Sequence, residues 1–179
     1  MNKKIRKAIK ECVSQELLIA KFYRYFAQLF EEDRSFWQKI MKEEIGHGTL
    51  LLTKFEDLYH AGVVTEETVP ASLRTLLIQG SSLTDLFLDL QESAPTRELT
   101  FTIAVALENC ISEQHFRSLR DATLTSPIKD MLESLGQDEQ DHIERIKQYA
   151  TNLGFAVDDS FTVESASSIL QKMLKSADP

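Results

Sequence analysis

Apolar side chains return at spacings of three and four along four long segments of the chain, the period of a helix that buries one face, and no segment alternates as a strand would. In the first segment, residues 4–30, the stripe reads Ile5, Ile9, Cys12, Glu16, Ile19, Tyr23, Phe26 and Phe30, with a glutamate at its middle. The second opens at Ser35, which with Gln38 makes an S-x-x-Q capping box, and runs Trp37, Ile40, Glu44, His47, Leu51, Phe55, Leu58 before stopping at Gly62. The third begins near Pro95 and Thr96 and carries Phe101, Val105, Glu108, Ile111, His115 and Leu119. The fourth takes Ser126 as N-cap and Pro127 in its first turn, then Ile128, Met131, Leu135, Glu139, His142, Ile146 and Tyr149, ending near Gly154. At 1.5 Å per residue, segments of about 25 residues make rods roughly 40 Å long.

Only a few residues join the first helix to the second and the third to the fourth, which predicts antiparallel hairpins. Residues 61–94 are too many for a tight turn and contain two helical stretches, 72–78 and 83–90, divided by Gly80. They are expected to form a crossover along the length of the bundle. Past Gly154, the pattern predicts a short helix over 163–174, introduced by Asp158, Asp159 and Ser160. The expected architecture is an all-α antiparallel four-helix bundle over residues 1–154, followed by a C-terminal extension, 155–179, with one short helix. The halves repeat: Glu16 leads Tyr23 by seven residues and precedes Glu44-x-x-His47, while Glu108 leads His115 by seven and precedes Glu139-x-x-His142.

Composition narrows the class. With 42% hydrophobic and 27% charged residues, Gly 6 and Pro 4, the 179-residue chain is neither low-complexity nor disordered. A net charge of −8 disfavours nucleic acid, and no apolar run approaches the roughly 20 residues that span a bilayer, so a cytoplasmic protein is expected. Cys12 and Cys110 form no C-x-x-C pair and are read as reduced thiols on core faces.

The polar members of the stripes carry the chemistry. Residues i and i+3 share a helix face, so each E-x-x-H turns a carboxylate and an imidazole toward the same neighbour. Unpaired carboxylates in that environment are costly, and no basic residue stands on the stripes at their level. Two divalent cations would balance four carboxylates and two neutral imidazoles. A Glu from each of two helices plus a Glu-x-x-His from each of the other two is a known dinuclear ligand set in helix bundles. Glu43, Asp138 and Asp141 are read as solvated positions beside it, and Trp37 as core.

With these motifs the chain resembles the ferritin-like diiron-carboxylate superfamily, and within it the rubrerythrin group. Residues 16–27 are similar to that group's first helix, and Glu43-Glu44-Ile-Gly-His47 and Asp138-Glu139-Gln-Asp-His142 to its second- and fourth-helix motifs. The resemblance spans about residues 5–152. It implies metal ligands Glu16, Glu44, His47, Glu108, Glu139 and His142, with Glu44 and Glu139 bridging and each histidine capping one ion. It implies two iron ions as cofactor, with manganese or zinc as other occupants of such an O and N donor set. Tyr23 and His115 are expected to hydrogen-bond ligand carboxylates and orient them. The implied activity is reduction of peroxide or O2 with electrons from an external donor protein, in a chain that can act as a homodimer. The alternatives are ferrous-iron oxidation or storage, and a metal-occupied scaffold without catalysis. Two departures stand out: Ile111 occupies a position where rubrerythrins carry a further glutamate, which brings the ligand set closer to bacterioferritin, and no C-x-x-C supplies a rubredoxin module.

Overall fold

The computed structural model describes residues 3–63, 73–119 and 126–177, with the side chains of 4, 5, 8, 73–79, 112–119, 126, 128 and 173–177 outside the description. All regular structure among them is helical: α1 (Lys3–Leu29), α2 (Arg34–His60), α3 (Leu73–Glu92), α4 (Arg97–Leu119), α5 (Ser126–Asn152) and α6 (Val163–Ala177), with one 3-10 turn at Glu31–Asp33. No described helix is long and apolar enough to cross a membrane.

The tight turn after Leu29 folds α2 back along α1. Phe26 meets Trp37 near the turn, and Leu17 lies beside Gly48 farther down, so the two helices run antiparallel. In the same way Phe101 meets Tyr149 while Glu108 meets His142, which sets α4 antiparallel to α5. Both second members end alike. Gly62 (φ 71°) and Gly154 (φ 80°) take the left-handed conformation, and the next residues close the helix by donating from Val63 N to Leu58 O (2.8 Å) and from Phe155 N to Ala150 O (3.0 Å). Those are the two stops the sequence predicts.

Local expectations fail where a distant group takes over. The capping box at Ser35 does not form, because the N-cap of α2 falls two residues earlier, on Asp33. Asp33 itself makes no cap. Its fully buried carboxylate instead accepts from Arg97 Nε (2.7 Å) and Nη2 (2.6 Å) and from Tyr149 Oη (3.1 Å), tying the α1–α2 turn to the start of α4 and the end of α5. Nor does Gly80 divide the two helical stretches expected around it: α3 passes through it as one helix. A mid-helix glycine costs about 1 kcal/mol, whereas burying Leu83, Leu86 and Leu90 contributes roughly 1.5–3 kcal/mol each. Tertiary burial wins. Residues 64–72, the rest of the segment expected to cross over, lie outside the described residues.

Packing is continuous from α1 through α6. Phe22, Tyr23, Phe26, Trp37, Leu86, Phe101 and Ile146 belong to one large core cluster, and α6 adds Val163, Ala166 and Leu170 to it. A second cluster, Ile9, Leu51, Met131, Leu132 and Leu135, lies on the other side of the polar level marked by Glu16. α4 departs from the one-faced stripe: every side chain from Thr100 to Glu108 is buried, since α1, α5 and α6 all pack on it.

Candidate metal centre

Four helices deliver their polar stripe residues to one level. Glu16 from α1, Glu44 and His47 from α2, Glu108 from α4, and Glu139 and His142 from α5 are all buried, none more than 7% exposed. Heptad and i,i+3 placement accounts for this, because each occupies a stripe position whose neighbours one turn away are core residues such as Ile19, Ile40, Val105 and Ile143.

Two groups of donors share one glutamate. Glu16, Glu44 and His47 each present an atom within 4.8 Å of the others, and so do Glu44, Glu108 and His142. The two oxygens of Glu44 divide between them: Oε2 is 3.6 Å from His47 Nδ1, and Oε1 is 2.7 Å from His142 Nδ1. Glu108 Oε2 completes the second group, 3.4 Å from His142 Nδ1. Glu139 is fully buried and close enough to bear electrostatically on Glu16 and Tyr23, but its carboxylate belongs to neither group.

Proximity here is not hydrogen bonding. Glu44 Oε1, His47 Nδ1 and His142 Nδ1 have no surface exposed and no well-directed hydrogen bond among the described residues, although two of them are 2.7 Å apart. Buried polar atoms are normally paired, and leaving one unpaired costs about 1–3 kcal/mol. Crowded buried donor atoms without directed hydrogen bonds are what a metal site holds before its ion arrives. Donors about 2.1 Å from an octahedral cation sit roughly 3 Å apart at right angles, and the separations of 2.7–3.6 Å fall around that spacing. The carboxylate and imidazole donors of each group could hold a metal ion.

Without a cation the cluster can settle only by sharing protons. Burial and then the neighbouring Glu44 charge hold Glu16 well above the usual carboxylate range, and the same two causes raise Glu108 to about 7. Burial works the same way on Glu44 but is outweighed by His142 and His47, which bring it to about 2. Burial would lower His142, yet contact with Glu108 and Glu44 raises it to about 10. Opposite shifts inside one cluster mark it as a functional candidate.

The outward nitrogens of both histidines face acids. His142 Nε2 is 3.2 Å from Glu43 Oε2, and Glu43 is clamped by Arg145, whose Nη2 and Nη1 donate at 2.6 and 3.2 Å. His47 Nε2 is 3.5 Å from Asp138 Oδ2. Glu43 is thus not the solvated residue that its place beside the stripe suggests. Neither it nor Arg145 stands out on a single helical wheel, but the sequence holds a signal: an acid precedes each E-x-x-H glutamate, and each such acid serves the histidine of the other helix. Tyr23 Oη donates to Glu108 Oε1, and burial keeps this phenol protonated. The side chain of His115, its counterpart in the repeat, lies outside the described residues.

A cleft of about 930 Å³ between α2 and α5 leads to this cluster, lined by His47, His142, Glu43, Asp138, Arg145 and Tyr149 among others. Comparison with known proteins finds no matching family model, no matching curated protein and no matching solved structure.

Proposed function

We propose that this chain is a ferritin-like protein of the rubrerythrin type, in which α1, α2, α4 and α5 form the four-helix bundle, α3 belongs to the crossover, and a dinuclear metal centre reduces peroxide or O2. The observation that carries the reading is Glu44, fully buried, with one oxygen toward each of two imidazoles whose facing nitrogens lack a directed hydrogen bond. Glu16, Glu44 and His47 would hold one ion and Glu44, Glu108 and His142 the other, with Glu139 as a further ligand once charge is present to draw its carboxylate in. A pair of ferrous ions held by these residues would supply two electrons, one from each ion, and positive charge to stabilise a reduced oxygen species.

The remaining roles belong to the chain. Tyr23 holds a proton on its hydroxyl against Glu108 Oε1 and so fixes that carboxylate's rotamer. Glu43 Oε2, 3.2 Å from His142 Nε2, favours the ring orientation that turns Nδ1 inward. Phe101, Trp37 and Tyr23 close one side of the level against water. The α2–α5 cleft admits a small oxidant and brings it to the histidines. Electrons come from a separate donor protein.

Metal analysis of freshly purified protein tests the reading, with Glu44→Ala and Glu139→Ala as controls. About two transition-metal ions per chain are expected for the parent and fewer for each variant. A full complement of metal in both variants contradicts it. Peroxide-dependent oxidation of a supplied donor tests the activity. Ile111, an apolar side chain only 3% exposed, favours the second reading, ferrous-iron oxidation or storage, since it withholds a seventh ligand. Size-exclusion chromatography separates the two: storage requires a large hollow shell, peroxidase activity only a small assembly.

A further inference from the structure

Resting on the dinuclear reading, we propose that the two metal positions are unequal: the position made by Glu44, Glu108 and His142 binds a divalent ion first and tightly, and the one made by Glu16, Glu44 and His47 binds the second weakly and exchangeably. The difference lies behind the histidines. On α5, His142 is backed by Glu43, and both guanidinium nitrogens of Arg145 hold that carboxylate in a bidentate clamp. On α2, His47 is backed at 3.5 Å by Asp138, whose side chain is 50% exposed and which pairs with no other basic group among the described residues. The repeat makes the contrast a like-for-like one. Arg145 stands three residues after His142, and the residue three after His47 is Leu50.

A clamped acid holds the imidazole ring in one orientation and makes its inward nitrogen more basic, while a solvated acid at longer range does neither well. Loss of such a supporting contact typically lowers metal affinity 10–100-fold. Glu108 is also held by the Tyr23 hydroxyl, so two of the three donors at the first position are fixed before any ion arrives. Preorganised donors lose less freedom on binding. The α2–α5 cleft is lined by both His47 and His142, so the asymmetry rests on the clamp and not on access to solvent. The second position is therefore the one from which a bound ion would exchange more readily.

Titration of chelated, full-length protein with Mn2+, followed by electron paramagnetic resonance, tests this. The expected course is an isolated six-line Mn2+ signal that grows up to one equivalent, then gives way to the broad signal of a spin-coupled pair. A pair signal present from the first addition overturns the inequality. Glu16→Gln should keep the isolated first step and lose the second, whereas Glu108→Gln should lose the first; the reverse pattern also overturns it. Arg145→Leu, which copies the α2 arrangement, should weaken the first step about tenfold and leave the second where it was. Arg145→Lys, with charge but no fork, should fall between. An unchanged first step in Arg145→Leu refutes the role of the clamp. Absence of any tight Mn2+ binding by the parent chain instead defeats the dinuclear reading itself.

Discussion

Glu16 and Glu108 occupy matching positions in the repeat, yet the helices that carry them are built differently. α1 buries one face, with Glu16, Ile19, Tyr23 and Phe26 inside and Leu17 41% exposed on the other side. α4 has no outside from Thr100 to Glu108. A helix apolar all round must be enclosed by others, and α4 is enclosed by α1, α5 and α6. One carboxylate is therefore presented by a surface helix and the other by a central one, and substitutions on the two should have very different consequences.

The largest effects belong to α4. Phe101→Ala should cost about 3–5 kcal/mol and Leu107→Ala about 2–5 kcal/mol, since both side chains are fully buried and a cavity would remain. Urea denaturation followed by circular dichroism measures this, and a loss below about 1 kcal/mol at either site would mean that α4 is not enclosed. Arg97→Ala comes next, at about 3 kcal/mol, because it strands the fully buried Asp33 carboxylate with Tyr149 as its remaining donor. Asp33→Ala, which removes the buried charge together with its partner's target, should cost less than Arg97→Ala; the opposite order would show that Asp33 is solvated.

How much of this could be read from the chain divides along the same line. The periodic helices, their stops at Gly62 and Gly154 and the burial of six polar stripe residues follow from local spacing alone. α4's all-round burial does not, because it depends on α6 docking from more than 50 residues away. Asp33 looks like a helix cap until Arg97, 64 residues on, claims it. Gly80 looks like a break until the leucines of α3 find α1. Glu43 looks solvated until Arg145 and His142 arrive from α5. In each case a contact distant in sequence outweighs a local preference of about 1 kcal/mol.

Chelation should expose the difference in proton terms. Glu108, raised from the usual carboxylate range to about 7 in the folded chain, supports the folded state below its unfolded value and loses that contribution as pH rises through about 7. His142, raised to about 10 from 6.5, does the same as pH rises through about 10. Glu44, lowered to about 2, acts in the opposite sense and only as pH falls below about 4.5. The metal-free chain should therefore lose stability between about pH 5 and pH 10, whereas metal affinity should increase over that range, because the ligands must shed protons to bind. Thermal melts with and without Zn2+ at pH 5 and pH 9 check both signs. A metal-induced rise in melting temperature no larger at pH 9 than at pH 5 contradicts the clustering.

Tyr23→Phe joins the two helices in one substitution. The ring keeps its stack on Trp37, with centroids 5.7 Å apart, and only the donor to Glu108 is lost. The expected cost is about 1–2 kcal/mol. Because the Tyr23 hydroxyl helps to lower the Glu108 pKa, its removal should also move the alkaline loss of stability of the chelated protein to higher pH. A variant with an unshifted pH profile would leave Tyr23 as packing alone.

The smallest effect belongs to the outer face of α1. Leu17 lies near Gly48 of α2, with Cδ2 3.6 Å from where a Cβ on that glycine would stand, but 41% of the residue remains in water. Leu17→Ala removes only the covered part and gains slightly in helix propensity, so the net change should stay within about 0.5 kcal/mol. Its position beside Glu16 makes it a sharp control: a change of main-chain neighbour on the exposed face should leave Mn2+ stoichiometry untouched, while Leu107→Ala, at the buried residue just before Glu108, should weaken both fold and metal binding. Equal losses from the two would show that Glu16 is as deeply enclosed as Glu108 and that the contrast between a surface helix and a central one does not hold.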